Sequence, residues 1–307
     1  MDIITLILIV AGLSLFEIIS SIDNAIINAE VLSTMGPKAR RWFLVWGIFI
    51  AVFVIRGFLP WLIVWAVNPA LGPLGALTAT FSNDPAIRHY IEQSSPILLA
   101  GGGIFLVFLF LHWLFLEDKN YGLPRTEKFF LRQGVWFYAC VSIILTAIVW
   151  KAIYLNSLMA LGAVIGSTAF FITHGFKQNA EENEKKLLTS NLTDISKVFY
   201  LEIIDATFSI DGVLGAFAFT LSIPLILMGN GIGALIVRQL TIKGINKIKK
   251  YAYLKNGAMY SILVLGVIML MRAFNIPVSE LFSPVITFII IGYFYWKSLS
   301  ALKSSAA

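Results

Sequence analysis

The chain has 307 residues, 58% of them hydrophobic and 13% charged, with a mean hydropathy of +0.84. A soluble globular domain carries about 25% charged residues, so a soluble enzyme and a disordered tail are excluded. The lone cysteine, Cys140, excludes an internal disulfide and a cysteine-rich zinc site. The net charge of +6 reads as basic cytoplasmic loops rather than as a surface for nucleic acid.

About 20 mostly apolar residues are needed to cross the hydrocarbon core as a helix. Nine such stretches follow one another, near 3–31, 42–67, 96–116, 133–152, 156–176, 198–221, 223–241, 257–275 and 282–302. The expected class is therefore an all-α polytopic membrane protein. Met1-Asp2 lacks the basic start of a signal peptide, so none is expected. With nine crossings, 18 lysines and arginines fall on one side of the membrane and three on the other, and Arg56 and Arg238 lie inside spans. The positive-inside rule then puts the N-terminus outside and the C-terminus in the cytoplasm, in a cell (inner) membrane. The polar run 177–197 reads as a solvated cytoplasmic loop.

Two segments repeat. Glu17, five residues and Asp23 are matched by Asp205, five residues and Asp211, each within a Ser-Ile-Asp string. In the helices that follow, Gly47 precedes Arg56 by nine residues and Gly229 precedes Arg238 by nine. A weaker likeness links the helices that begin at Gly101 and Gly257. The copies start five crossings apart, so they are expected to run in opposite directions, the plan of many secondary transporters with a midplane site. The expected organisation is one transmembrane domain over 1–307. It divides into a first repeat (1–116), linker helices and a cytoplasmic loop (117–197), a second repeat (198–275) and a C-terminal helix (276–307).

Glu17, Asp23, Glu202, Asp205, Asp211, Arg56 and Arg238 all stand in apolar surroundings. A central intramembrane charge costs about 2.5–3.5 kcal/mol on insertion scales, so these groups require partners. Five acids against two arginines leave negative charge that a bound cation or protonation offsets. At 100° per residue, acids six apart diverge by about 120°. A shared site therefore predicts local unwinding near 20–24 and near 208–212, which would free carbonyls for the ion. Asn24, Ser21 and Ser209 add oxygen donors beside the acids. Oxygen ligands suit Mn²⁺, Ca²⁺ and Mg²⁺, and no cysteine or histidine adjoins the acids in sequence. Arg56 and Arg238 read as ion-pair partners that hold the acids. His112 reads as packing or a neighbour of the path, and His174 as interfacial. Gly101-Gly102-Gly103 and Gly229/Gly231/Gly233 read as close helix packing rather than phosphate loops.

These motifs resemble the TerC family of integral membrane proteins. Glu17-x5-Asp23-Asn24 is similar to the first family signature, and Glu202-x2-Asp205-x2-Phe208-x2-Asp211 to the second. Arg56 and Arg238 match the arginines of the following helices. Tyr253-Leu254-Lys255-Asn256-Gly257 resembles the start of the third repeat helix. Gly212 departs from the pattern, which usually has Ser there. The family is linked to tellurite resistance and Mn²⁺ export. The resemblance implies Glu17, Asp23, Glu202, Asp205 and Asp211 as metal and coupling residues. The sequence-level expectation is a non-enzymatic secondary transporter that exports a divalent cation, Mn²⁺ first, with proton coupling as an addition. It needs no resident cofactor, and its partners are the cation and membrane lipids. Ca²⁺/H⁺ exchange, a metal-handling accessory protein without net flux, and an intramembrane aspartyl protease are the alternatives.

Overall fold

Apolar runs this long have nowhere to place their backbone amides in lipid except in helices, and helices are what forms. A computed structural model describes residues 2–47, 50, 56–67, 69–79, 85–189, 193–243 and 248–306. Among them there is no strand. Helix α1 (Ile3–Ser20) is capped by Asp2, whose carboxylate accepts from the Thr5 amide at 3.1 Å. Helix α2 (Ile22–Ser33) follows after one non-helical residue, Ser21. Then come α3 (Pro37–Trp42), a π-helical turn (Phe43–Gly47), α4 (Arg56–Val67), α5 (Gly72–Ala79) and α6 (Pro85–Leu116). The second part holds α7 (Pro124–Arg132), α8 (Phe137–Ile153), α9 (Ser157–Thr189), α10 (Asp194–Ala216) and α11 (Ile223–Lys243). Helices α12 (Leu254–Ala273) and α13 (Phe282–Ala306) close the chain.

Among the described residues, seven helices are long and apolar enough to cross a membrane, and the chain is a polytopic helical membrane protein. They are α1, α6, α8, α9, α11, α12 and α13, or the apolar parts of them. Of the nine expected crossings, two are not in this set. Helix α10 has the length, but its run carries Lys197, Glu202, Asp205 and Asp211. The stretch 42–67 lies partly outside the described residues. The peripheral helices α8 and α13 turn Ile143, Trp150, Ile289 and Trp296 outward, as a lipid-facing surface does.

Two expectations about local structure are corrected. The run 177–197 is not a loop along its length: α9 continues as helix to Thr189, because Ala-Glu-Glu-Asn-Glu-Lys-Lys-Leu-Leu is made of strong helix formers. And 208–212 does not unwind. Helix α10 runs unbroken from Asp194 to Ala216, its ladder tolerating Gly212 at a modest propensity cost. The interruption in the first copy falls at Ser21 and is one residue wide. The Ser21 amide still donates to Glu17 O (3.1 Å), and Ala25 N to Ser21 O (2.9 Å).

Helix directions follow from residue-to-residue contacts. Helices α1 and α11 run the same way, with Leu13 on Gly229 and Glu17 on Gly233. Helix α10 runs against them: Gly215 meets Phe16, Gly212 meets Glu17, and Asp205 is bonded by Asn24. Helices α6 and α9 are parallel, with Ile97 on Gly162, Gly101 on Gly166 and His112 on His174. Helix α12 opposes α6, pairing Gly103 with Leu270 and Leu106 with Gly266. The glycines do the packing the sequence assigned to them. A Cβ on Gly166 would overlap the Gly101 carbonyl, and one on Gly162 would stand 2.6 Å from Ile97 O.

The main apolar core is built of α1, α6, α8, α9, α10, α11 and α12, around Phe16, Phe105, Phe108, Trp113 and Phe170. The short helix α7 is pinned to α12 by the fully buried Glu127. Its Oε1 accepts from the Leu123 amide (3.0 Å), Asn256 Nδ2 (3.1 Å) and the Tyr260 hydroxyl (3.2 Å).

Candidate functional site

The site is assembled where α1, α2, α10 and α11 meet. Small residues permit that meeting. Gly212, Gly215, Gly229 and Gly233 let the backbones of α10 and α11 approach the α1 side chains, and Ser14 Oγ lies 2.9 Å from Gly229 O. Into this contact project four of the five predicted acids. The side chain of the fifth, Asp23, and that of Arg56 lie outside those described.

The acids sort into two clusters, because α10 is regular and its residues 205 and 211 face different ways. In the first cluster Arg238 lies against Glu202. Nη1 and Nη2 are each 3.1 Å from Oε1, and Nη2 is 3.3 Å from Oε2. The same guanidinium donates to Phe43 O at 3.0 Å, stacks on the Phe43 ring at 3.8 Å and approaches Asp205 Oδ2 at 3.5 Å. Asn24 Nδ2 donates to Asp205 Oδ1 at 2.6 Å, joining the two repeated motifs directly. Glu202 and Arg238 are both buried. A charge pair so placed is held by geometry and hydrogen bonds rather than by net electrostatic gain.

In the second cluster Asp211 turns away from Arg238. Its Oδ2 receives a 2.8 Å hydrogen bond from Lys177 Nζ of α9. Lys177 is the residue that sequence reasoning missed. Its polar run reads as a loop, yet α9 carries it to the acid. The available signal was the helix-forming character of 177–189 (Lys177-Gln-Asn-Ala-Glu-Glu). Glu17 stands between the clusters. It is 99% buried, its Oε1 accepts from Ser21 Oγ at 3.1 Å, and its Oε2 abuts the Cα of Gly212, where a Cβ would come within 2.8 Å. That contact explains Gly212: a side chain there would push into the Glu17 carboxylate. The Ser209 hydroxyl is buried without a hydrogen-bond partner. The same holds for Asn24 Oδ1 and Asn28 Oδ1, so acceptor and hydroxyl oxygens are left over at this interface.

A cavity of about 500 Å³ opens beside the second cluster. Asp211, Asn24, Ser20, Lys177, His112 and His174 all line it. Histidines do accompany the acids in space: the rings of His112 and His174 are 3.8 Å apart and share the cavity with Asp211. The sequence hides this because α6 and α9 are parallel neighbours, and their coincident register is a tertiary fact. Farther out, Glu117 bridges His112 Nδ1 (3.4 Å) and Lys255 Nζ (3.1 Å). Burial raises the Glu117 carboxyl, but the contact with His112 and the Lys255 ammonium outweigh it and hold the group at about 2. Among the described residues, no three His, Cys, Asp or Glu side chains stand close enough to hold a metal ion together. What the arrangement offers a cation is the Asp211 carboxylate at the cavity wall, with Asn24 on the same wall and Glu17 one helix contact away.

The family described as "Protein of unknown function (DUF475)" matches residues 22–304, and the chain belongs to it. No curated protein and no solved structure matches the chain.

Proposed function

We propose that this chain is a secondary transporter that exports a divalent cation, Mn²⁺ first, from the cytoplasm through a site centred on Asp211. The observation that carries the reading is the meeting of the two motif helices. Glu17 and Asn24 on α1–α2 face Gly212 and Asp205 on an oppositely running α10, beside a polar cavity walled by Asp211.

Three further points support it. Helices an odd number of crossings apart must oppose one another. The opposition of α1 to α10 and of α6 to α12, and the parallel pairs α1/α11 and α6/α9, are the directions that nine alternating crossings require. Among the described residues, the two cations at the site are fixed on individual acids, Arg238 on Glu202 and Asp205 and Lys177 on Asp211. Arg238 is locked by four hydrogen bonds and a ring, so it serves structure. Lys177 reaches Asp211 through a flexible side chain, and its departure would present a carboxylate to an arriving ion. Glu17, Asp23, Asn24 and water or carbonyl oxygens would then complete a hard-ligand shell. Finally, the likeness of both acidic motifs to TerC signatures favours Mn²⁺ over other hard cations. The protein acts without a resident cofactor and without enzymatic turnover, in a cell (inner) membrane with the C-terminus cytoplasmic.

Purified protein in proteoliposomes tests this. Mn²⁺ uptake that is saturable and lost in Asp211→Asn supports the reading. Uptake of Ca²⁺ in preference to Mn²⁺ would make the chain a Ca²⁺/H⁺ exchanger. Tight Mn²⁺ binding with no flux would make it an accessory metal-handling protein.

A further inference from the structure

The cavity also holds side chains that the cation site does not use. His112, nine-tenths buried on α6, has no hydrogen-bond partner for Nδ1, which points toward Glu117 Oε1 at 3.4 Å. His174 on α9 lies against it with ring centroids 3.8 Å apart, and the Phe170 ring packs beside both, 5.8 Å from His174 and 6.2 Å from His112. The neighbours that bear on these rings come from every packed element. Helix α8 contributes Tyr138, the α6 end Glu117 and Asp118, and α9 Lys177. Helix α10 adds Asp211, and α12 adds Lys255.

We propose that His112 and His174, with Glu117, form a binding site for a single proton at the cytoplasmic side of the cavity. Three arguments converge on one proton rather than none or two. Among the described lining residues, the carboxylates Glu117, Asp118 and Asp211 against Lys177 and Lys255 leave one negative charge, which one imidazolium cancels. Glu117, whose carboxyl is held at about 2, remains ionised at cytoplasmic pH and faces the waiting Nδ1. And two imidazolium rings with centroids 3.8 Å apart would repel one another, which favours one positive charge over two. On loading, a hydronium ion or protonated buffer gives its proton to the imidazole. An N–H bond forms at Nδ1, the conjugate base returns to solvent, and the new cation is held by the Glu117 carboxylate.

The site deepens the transport reading, and its role in transport rests on that reading. A proton on the imidazole pair and a divalent ion at Asp211 answer the same negative charge, so each disfavours the other. That competition is the coupling an exchanger needs.

The chain has three histidines, which makes the site directly observable. With His89→Gln as background, ¹⁵N-histidine protein in lipid nanodiscs is titrated from pH 8 to pH 5 without metal. The expected result is uptake of one proton by the two remaining rings. Glu117→Gln is expected to move that uptake about 1–3 pH units more acidic, since an opposite charge within ~4–6 Å shifts a group by that much. Lys255→Met, which removes the cation competing for Glu117, is expected to move it the other way. Uptake of two protons with one shared midpoint, or a midpoint indifferent to both substitutions, overturns the proposal. Because no metal is present, failure here leaves Mn²⁺ transport standing, and failure of transport leaves this titration standing. In proteoliposomes the ratio of Mn²⁺ uptake at pH 7.5 to that at pH 6 is expected to fall toward one in His112→Gln.

Discussion

Breaking the Arg238–Glu202 pair tests the electrostatic skeleton on which the site is built. Both side chains are 93% buried, with nitrogen–oxygen distances of 3.1 Å. At that distance and an effective dielectric constant of about 20, one ion pair contributes about 5 kcal/mol of attraction, most of it offset by desolvation. Removing one partner does not return the system to neutrality. It leaves the other charge buried without this partner, which costs about 3–5 kcal/mol. Arg238→Met also forfeits the bond to Phe43 O and the stack on its ring, and it leaves Asp205 with Asn24 alone among the contacts described above. At about 2–4 °C per kcal/mol for a large domain, the expected fall in melting temperature is about 6–20 °C. The half-buried Cys140 supplies the assay. It is the only thiol in the chain, so a thiol-reactive fluorophore reports unfolding in detergent from one position. Arg238→Met and Glu202→Gln should each show the fall, and the double variant should fall by less than the sum of the two. Additive losses, or single variants that melt with the wild type, would refute the reasoning.

Three other outcomes are expected. Lys177→Met removes the ammonium from Asp211 and should tighten Mn²⁺ binding by on the order of tenfold, read by electron paramagnetic resonance titration; weaker binding would count against a displaceable lysine. Gly166→Ala drives a Cβ into the Gly101 carbonyl and should cost about 1–3 kcal/mol or more. Gly175→Ala in the same helix meets nothing within 4 Å and should be neutral or stabilising by about 0.5–1 kcal/mol in the same melt. The Glu117 carboxyl lies lower folded than unfolded, so the stability it contributes is full above its ordinary value of 4.5. It is lost as pH falls through about 2, and melts taken across that window should be flatter in Glu117→Gln.

The membrane class and the long apolar helices were legible because lipid imposes strong rules on composition. A run such as Ile3–Ser20 has one fate, and acids inside apolar runs must be paired. The glycine runs were legible for the same reason, since close approach of helices needs missing side chains. What was not legible depends on register between distant helices. Nothing in the sequence says that His112 stands opposite His174, or that Lys177 reaches Asp211 across 34 positions. Nor does the spacing of Asp205 and Asp211 reveal that α10 stays regular and divides its acids between two neighbours. The expectation of a shared, unwound site assumed that every acid serves the ion. The helix instead gives Glu202 and Asp205 to Arg238 and turns Asp211 toward the cavity.

Helix α9 has a mechanical corollary. At 1.5 Å per residue its 33 residues form a rod of about 50 Å, and His174 and Lys177 sit one turn apart on the same side of it. A rod transmits displacement along its axis with little loss. Any slide or roll that carries the lysine off its carboxylate drags the imidazole through the same stroke, so events at the two positions share a single moving part.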